Sequence, residues 1–485
     1  MKIEQLMGKE RQAQYHLFMI LYQAEGPPSV KDLTQALQLS KVTLLKYITN
    51  LNQLFDKHGV ACQLIIENEK LITQETGLFS WTNWIWLLLQ DSIPYQMLLH
   101  FFTHQHVNAT KLSLDLMISE ATFNRHLASI NQCLEEFGIG ISQGKQTGSE
   151  LQWRYFYYEL LEMTYSKEDR SSLTAEIDRS HLKHLTSHLT RQELEPEKLD
   201  KLSLFIAISQ KRLAFQKESA EAEWPNGVYF QNNVFYNRLE KIMFHYLSRY
   251  AIEFDSFEAK CLFAFLQSYP ILPLPTISYI LGFGGPIADK VSEAIWLMRK
   301  ANIVAYRTKE EIIYGLSLFF GKAYFFKGGL ISGEKNLAFL ADLVAPEEQV
   351  KIEVLMRHHM ILLGDKALQE TDLAKSLSYK MLELLLFAIE RQTKPLKIGL
   401  CLGADSVERA ILEVTIRKQL DNNRNFHFLP YQEKGDFDCI VCYQNREIQS
   451  DRPVYQLKYY GFSHDLKALE LFLKELLLKK NKQEN

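Results

Sequence analysis

The chain has 485 residues, of which 47% are hydrophobic and 23% charged, with a formal net charge of −3. This composition is typical of a globular protein and excludes a disordered or collagen-like chain. The length predicts several domains, at roughly 100–200 residues each. Residues 1–150 hold 11 Lys and Arg against 14 Asp and Glu, which argues against a strongly basic nucleic-acid-binding surface there.

The polar N-terminal segment and the cysteine usage predict a cytoplasmic protein. The opening MKIEQLMGKERQ is polar, and polar residues and Pro94 interrupt the most apolar stretch, 78–102. We therefore expect no secretory signal and no membrane span. Six scattered cysteines show no disulfide framework, as in a reducing compartment. The CxxC of Cys439 and Cys442 lies in a predicted strand, where positions three apart face opposite sides. We expect core residues there, the alternative being a redox or zinc site.

An internal repeat is the most informative pattern in the N-terminal part. Residues 33–60 align without a gap on residues 112–139, and seven positions are identical. These are Leu33/Leu112, Leu37/Leu116, Ser40/Ser119, Thr43/Thr122, Asn52/Asn131, Gln53/Gln132 and Gly59/Gly138. Each copy has the pattern of a helix, a tight turn and a second helix, followed by a hairpin signal. This order predicts a winged helix, whose second helix enters the major groove of DNA; two ordinary helical hairpins are the alternative.

The second helix of each copy is expected to carry the DNA contacts. Ser40 and Ser119 are placed to cap it, an apolar stripe faces the core, and the opposite side is polar. The second hairpin adds Lys145 and Gln146, with Gly144 and Gly148 at its tip. The predicted DNA-binding residues are Ser40, Lys41, Thr43, Lys46, Tyr47, Asn50, Ser119, Thr122, Asn124, Arg125, His126 and Lys145. The near-neutral charge favours a contribution from DNA shape to recognition.

The middle of the chain is predicted to be helical. Amphipathic segments are expected at 199–215, 236–250, 256–269, 287–301, 347–363 and 374–391. The loop YPILPLPT and the glycines of LGFGGP are the expected division between two bundles. Neither bundle shows paired carboxylates, zinc ligands or a nucleophile motif, so we predict no catalytic residues, metal or cofactor. His181, His184 and His188 share a helical face; a metal site there is the weaker alternative.

The last 90 residues alternate between strand and helix. Strands are expected at 396–402, 426–429, 437–443 and 454–459, with helices at 407–420 and 465–480. This alternation predicts a small α/β domain with a parallel sheet.

Three segments, LSKVTLLKYI, ISEATFNRHL and TGSELQWRYFYYELL, together with this domain order, resemble the Mga/AtxA family of Gram-positive virulence regulators. The resemblance implies a mostly helical, multidomain chain. Its expected domains are winged helix-turn-helix units at 1–77 and 78–160, phosphotransferase-system regulation domains at 161–285 and 286–394, and an enzyme IIB-like α/β domain at 395–485.

The same resemblance implies a DNA-binding transcription regulator, expected to be an activator and a homodimer. Its implied partners are double-stranded DNA, phosphocarrier proteins of the sugar phosphotransferase system and RNA polymerase. Histidines of the two bundles are the implied phosphorylation sites, and the candidates are His181, His184, His245, His358 and His359. The loop GADS after Cys401 is short and poor in glycine, so we expect the enzyme IIB-like domain to have lost phosphotransfer.

Two other functions remain open. An RNA-binding antiterminator with similar regulation domains would begin with a small β-domain, whereas this chain begins with helix-turn-helix repeats. A phosphocarrier of the phosphotransferase system would carry acid-labile phosphohistidine and pass the phosphoryl group on to a sugar.

Overall fold

The computed structural model is mostly helical, with a small parallel sheet near the C-terminus. It describes residues 1–24, 26–75, 81–213, 230, 233–248, 256–282, 284–304, 308–332, 346–364, 371–392, 396–402, 405–420, 426–433, 435–443, 450–458 and 463–483. Two compact units are formed, one from Met1–Trp296 and Lys309–Leu384, the other from Leu297–Thr308 and Leu385–Asn485. The predicted divisions at 77/78 and 394/395, Phe283 of LGFGGP, and Gly403 and Ala404 of the GADS loop lie outside the described residues.

The first repeat folds as helix-turn-helix plus hairpin. Its elements are α1 (Lys9–Gln23), α2 (Val30–Leu37), α3 (Lys41–Lys57), β1 (Cys62–Glu67) and β2 (Lys70–Glu75). The apolar stripe of α3 is buried as predicted: Leu44, Ile48, Leu51 and Phe55 all lie in the core. The strands pair antiparallel around Asn68 and Glu69, both in the left-handed backbone region that a two-residue hairpin turn requires.

The second repeat has the same architecture. Its elements are α4 (Trp81–Leu89), α5 (Ile93–Thr103), α6 (Ala109–Asp115), α7 (Glu120–Leu134), β3 (Ile139–Ser142) and β4 (Lys145–Gly148). Phe123, Ile130 and Leu134 of α7 are buried, as expected, while Leu127 is half-buried. The hairpin tip is Gln143–Gly144; Gly148 was wrongly expected there, because the strands stay paired back to Ile139, which lies opposite Gly148.

Helices form the middle of the chain. They are α8 (Glu150–Thr164), α9 (Lys167–Leu173), α10 (Arg179–Thr190), α11 (Pro196–Lys211), α12 (Val234–Ser248), α13 (Ser256–Ser268), α14 (Leu274–Leu281), α15 (Pro286–Lys300), α16 (Glu310–Phe325), α17 (Pro346–Ile361) and α18 (Asp372–Gln392). The six predicted segments are found, but α14 occupies part of the predicted loop and α16 was not foreseen. Helix α16 packs closely on α13, since a Cβ atom on Gly321 would lie 2.3 Å from the Gln267 carbonyl oxygen. No helix in the described ranges is long and apolar enough to cross a lipid bilayer.

The C-terminal residues form the predicted α/β arrangement. Its elements are β5 (Leu396–Cys401), α19 (Ser406–Leu420), β6 (Phe426–Pro430), β7 (Cys439–Tyr443), β8 (Val454–Leu457) and α20 (Ser463–Gln483). The strand order is β6-β5-β7-β8, and all neighbours run parallel. Cys439 lies in the main core beside Leu396 and Ile398, whereas Cys442 belongs to a separate buried cluster. The CxxC cysteines therefore face opposite sides of the sheet, as expected.

Candidate nucleic-acid interface

Both recognition helices, α3 and α7, begin with the same capped turn. The Ser40 hydroxyl accepts the Thr43 backbone N–H at 3.1 Å, and the two hydroxyls lie 2.8 Å apart. Ser119 accepts the Thr122 N–H at 3.2 Å, and these hydroxyls lie 3.0 Å apart. The side chain satisfies a backbone donor that the helix cannot, which fixes where each helix starts. These four predicted site residues therefore shape the end of the helix that would approach DNA.

Each recognition helix carries an exposed cation at the same repeat position, in its second turn. Lys46 of α3 and Arg125 of α7 are both solvent-exposed. Neither forms an ion pair with any residue in the part of the chain that the structure describes. Because the charge is not neutralised within the fold, both side chains can bond phosphates or base edges. Asn124 beside Arg125 is also exposed.

The remaining predicted residues of α3 contact other parts of the first winged helix. Lys41 pairs with Glu69 at the tip of the first hairpin at 2.9 Å, and its hydrogen bond and charge lower the pKa of Glu69. The Asn50 amide donates to Glu10 of α1 at 2.8 Å, and Gln14 donates to the Tyr47 carbonyl at 2.9 Å. Tyr47 and Asn50 are half-buried at this contact between α1 and α3.

His126 lies half-buried on α7. Burial, and secondarily the charge of Arg125, lower the pKa of its imidazole. The ring is therefore neutral at neutral pH, so it can offer one donor and one acceptor but no positive charge. Arg125 supplies the cation of this helix.

An asparagine ties each hairpin to its recognition helix, which makes the hairpin a wing of fixed position. The Asn52 side chain bonds both the N–H and the carbonyl of Leu64, each at 2.9 Å. The Asn131 side chain does the same to Ile141, at 2.7 and 2.8 Å. This role was not predicted, although the identity of Asn52 and Asn131 in the repeat was the signal for it.

The second wing presents one cation at its tip. Lys145 is exposed, and the preceding Gly144 packs directly on the segment before α6, accepting the Val107 N–H at 2.8 Å. A Cβ atom at Gly144 would lie 2.1 Å from the Val107 carbonyl oxygen, and its φ is +73°, so only glycine fits. Gln146, expected to face DNA, instead turns inward to the Phe101 carbonyl and Arg212.

A buried charge network begins at Gln146 and runs into the helices behind the second wing. Arg212 donates to Gln146 at 2.8 Å and to both carboxylate oxygens of Glu150 at 2.9 and 2.8 Å. Glu150 also accepts from Arg154 at 3.1 Å, and Arg154 forms a bidentate pair with Glu258 at 2.6 and 2.9 Å. All four charged side chains are buried, and the two arginines balance the two glutamates.

The histidines proposed for phosphorylation differ in exposure. His184 is exposed on α10, with its Nε2 3.3 Å from that of His188, whereas His181 is half-buried. His245 and His358 are exposed. His359 is fully buried, with its two ring nitrogens against the carbonyls of Leu355 and Ala294, and burial lowers the pKa of its imidazole. Within the described ranges, no group of three or more His, Cys, Asp or Glu side chains could hold a metal ion.

Comparison with known families assigns the second winged unit. Residues 78–161 match the Mga helix-turn-helix domain, which supports membership of the Mga family and DNA binding by a transcription regulator. The matched range includes α7, the second wing and most of α8. No curated protein matches the chain.

Proposed function

We propose that this chain is a transcription activator that binds duplex DNA through both winged units and is regulated by phosphorylation of bundle histidines. The observation that carries the DNA-binding part is the paired geometry of the two recognition helices. Each combines a capped N-terminal turn, an exposed cation one turn later, and a wing fixed to the helix by an asparagine. The match of residues 78–161 to the Mga helix-turn-helix domain supports this assignment.

The second unit is the stronger anchor in this proposal. It carries Arg125 on the helix and Lys145 on the wing, both exposed. The planar guanidinium of an arginine donates two parallel hydrogen bonds to a phosphate, whereas a lysine binds a phosphate as a point charge. The first winged unit instead has an acidic wing tip, where Glu69 forms an ion pair with the ammonium group of Lys41.

Substitution of the two exposed cations tests the DNA interface. We expect Arg125→Ala to weaken binding to a fluorescein-labelled, mixed-sequence DNA duplex about tenfold, or about 1.4 kcal/mol. Lys46→Ala should weaken it less. Each loss should reduce the slope of log affinity against log salt concentration by about 1, because one phosphate contact is removed. Fluorescence anisotropy over a range of salt concentrations measures both quantities.

Lys57→Ala is the matched control, since Lys57 is exposed in the last turn of the same helix α3, away from the capped end. It should leave affinity and salt slope unchanged. Unchanged DNA binding by the Lys46→Ala/Arg125→Ala double variant would contradict the assignment of these helices. Tighter binding to a hairpin RNA than to the duplex would favour the antiterminator function instead.

The regulatory part of the proposal rests on the surroundings of His184. Its ring is exposed and packs edge-on against His188, with ring centres 4.4 Å apart. Arg238 of α12 donates to the His188 carbonyl, and Lys183 is exposed beside His184. A phosphoryl group brings about −1.5 to −2 charges, which these cations would stabilise. Phosphorylation by a phosphocarrier protein would thus draw α10 and α12 together.

Dimerisation and contact with RNA polymerase complete the proposal. Helix-turn-helix dimers bind two half-sites about one helical turn apart, so a dimer would multiply two modest contacts. This matters for a chain with few exposed cations on its recognition helices. Light scattering of the full chain, alone and with DNA, measures its oligomeric state.

A further inference from the structure

Two cysteines that lie far apart in sequence meet at the carboxyl edge of the C-terminal sheet. Cys401 is the last residue of β5, and its partner in the parallel register is Cys442 of β7. Together with Ile440 they form a small buried cluster, covered in part by Tyr431. Cys439 lies on the opposite face of the sheet, in the main core. The cysteine spacing along the chain gave no sign of this pair.

The pair occupies a special place in the strand order. From β5 the chain passes through α19 to β6 on one side, and then returns to β7 on the other side. The connection that leaves β5 therefore runs to one side of the sheet and the connection that enters β7 runs to the other, so the chain direction switches between β5 and β7. In open parallel sheets, ligands bind at this switch point, outside the carboxyl ends of the strands.

The backbone spacing suits a covalent link. Neighbouring strands lie about 4.8 Å apart, and disulfides join Cα atoms that are about 4.4–6.8 Å apart. Side chains at register partners of parallel strands point to the same side of the sheet. Cys401 and Cys442 therefore meet the distance requirement without a rearrangement of the sheet.

The two thiols differ in exposure. Cys401 is 9% exposed and Cys442 is 0% exposed, so a small oxidant reaches Cys401 first. Burial, and secondarily the neighbouring Cys401, raise the pKa of the Cys442 thiol to about 11. Cys442 is thus a protonated thiol at neutral pH, and it reacts after Cys401 has been oxidised.

We propose that Cys401 and Cys442 form a reversible disulfide when the protein meets a small peroxide such as hydrogen peroxide. The Cys401 thiol gives up its proton, the thiolate attacks one peroxide oxygen, and the O–O bond breaks. A sulfenic acid and hydroxide form, and the hydroxide takes up the proton that Cys401 released, which gives the first water. Cys442 Sγ then attacks Cys401 Sγ, the S–O bond breaks, and the Cys442 proton leaves with the hydroxyl as water. In total, two thiols are oxidised to one disulfide while one peroxide is reduced to two waters. The site lies outside the DNA-binding units and goes beyond the function proposed above.

Peptide mapping of the full chain tests the proposal. The reduced protein is treated with hydrogen peroxide, remaining thiols are alkylated, and the digest is analysed by mass spectrometry. We expect a peptide pair joined through Cys401 and Cys442, a whole-chain mass lower by two hydrogens, and reversal by a thiol reductant. Separate alkylation of both cysteines after peroxide treatment, or a link to any other cysteine, would overturn the proposal.

Serine variants sharpen the test. Cys439→Ser is the matched control, because Cys439 is on the same strand as Cys442 but faces the other side; the link should form as in the unmodified chain. Cys442→Ser should stop the reaction at a Cys401 sulfenic acid, which dimedone traps. Loss of the link in Cys439→Ser, or dimedone labelling at residues other than Cys401, would contradict the assignment. The mapping of the unmodified chain decides the question even where a variant fails to fold.

Discussion

At the scale of single residues, exposure separates histidines that the sequence presents as equals. His358 and His359 are neighbours on α17, yet one is exposed and the other fully buried with both ring nitrogens at carbonyl oxygens. A phosphocarrier protein must place its own phosphohistidine against the acceptor. His359 cannot accept a phosphoryl group without displacement of α17, whereas His184 is accessible where it stands.

We predict that His184 is the principal phosphorylation site. Incubation of the full chain with a phosphorylated phosphocarrier protein should yield an acid-labile label that His184→Ala abolishes. His358→Ala, which removes an exposed histidine of α17, is the control and should retain the label. Mass spectrometry under alkaline conditions locates the modified residue. Undiminished labelling of His184→Ala would assign the modification elsewhere, and transfer of the label to a sugar would indicate a phosphocarrier instead.

At the scale of secondary-structure elements, the two asparagine contacts explain why the repeat retains these residues. Leu64 and Ile141 each lie on a strand of a two-stranded hairpin, so each strand is paired on one side. On its other side, the asparagine side chain bonds the N–H and the carbonyl of that residue. The helix and the wing therefore move as one body, which is what simultaneous contact with a groove and its backbone requires. Gln53 and Gln132, the neighbouring identical pair, are simply exposed.

Asn131→Ala should loosen the second wing. It leaves the N–H and carbonyl of the buried Ile141 without these partners, at a cost of about 1–3 kcal/mol. We expect faster amide hydrogen exchange across residues 139–148 and weaker DNA binding. Gln132→Ala is the matched control on the adjacent, exposed position and should behave as the unmodified chain. Equal exchange in both variants would show that the asparagine does not hold the wing.

At the scale of the whole molecule, the buried charge network joins elements that are remote in sequence. Gln146 belongs to the second wing, Glu150 and Arg154 to α8, Arg212 follows α11, and Glu258 lies on α13. Arg212 also packs over the rings of Trp153 and Tyr157. A change in the packing of these helices therefore reaches the wing through a chain of direct contacts.

Removal of one charge from this network should be costly. Arg212→Met leaves Glu150 buried with one cation fewer, and we expect a loss of about 3–5 kcal/mol in unfolding free energy. Arg179→Met, which breaks the exposed pair with Asp200, should cost about 0–1 kcal/mol. Adding Glu150→Gln to Arg212→Met should recover part of the loss, because Arg154 keeps its bidentate partner Glu258. Urea denaturation, monitored by tryptophan fluorescence, compares the unfolding free energies of the variants. Equal effects of Arg212→Met and Arg179→Met would contradict the network.

The contrast between local and long-range features explains what the sequence could predict. Caps, helix stripes and hairpin turns depend on residues a few positions apart, and the Ser40 and Ser119 caps and the hairpin after each repeat were found from pattern alone. The pairing of Cys401 with Cys442 depends on strand order, and the inward turn of Gln146 depends on Arg212, 66 residues away. Helix α16 was not predicted because its buried positions include Gly315, Ser317 and Gly321, small or polar residues that blur an apolar stripe in the sequence.

The burial of α8 limits how this protein can be dissected. Trp153, Tyr155, Tyr157 and Tyr158 are all in the interior, on every side of that helix. A recombinant piece excised at residue 161 would keep these rings but lose the helices that cover them, along with Arg212 and Glu258. Such a piece would present a broad aromatic surface to water and self-associate, so an apparent failure to bind DNA would reflect aggregation. The smallest piece that retains the network extends from the second winged unit through α13.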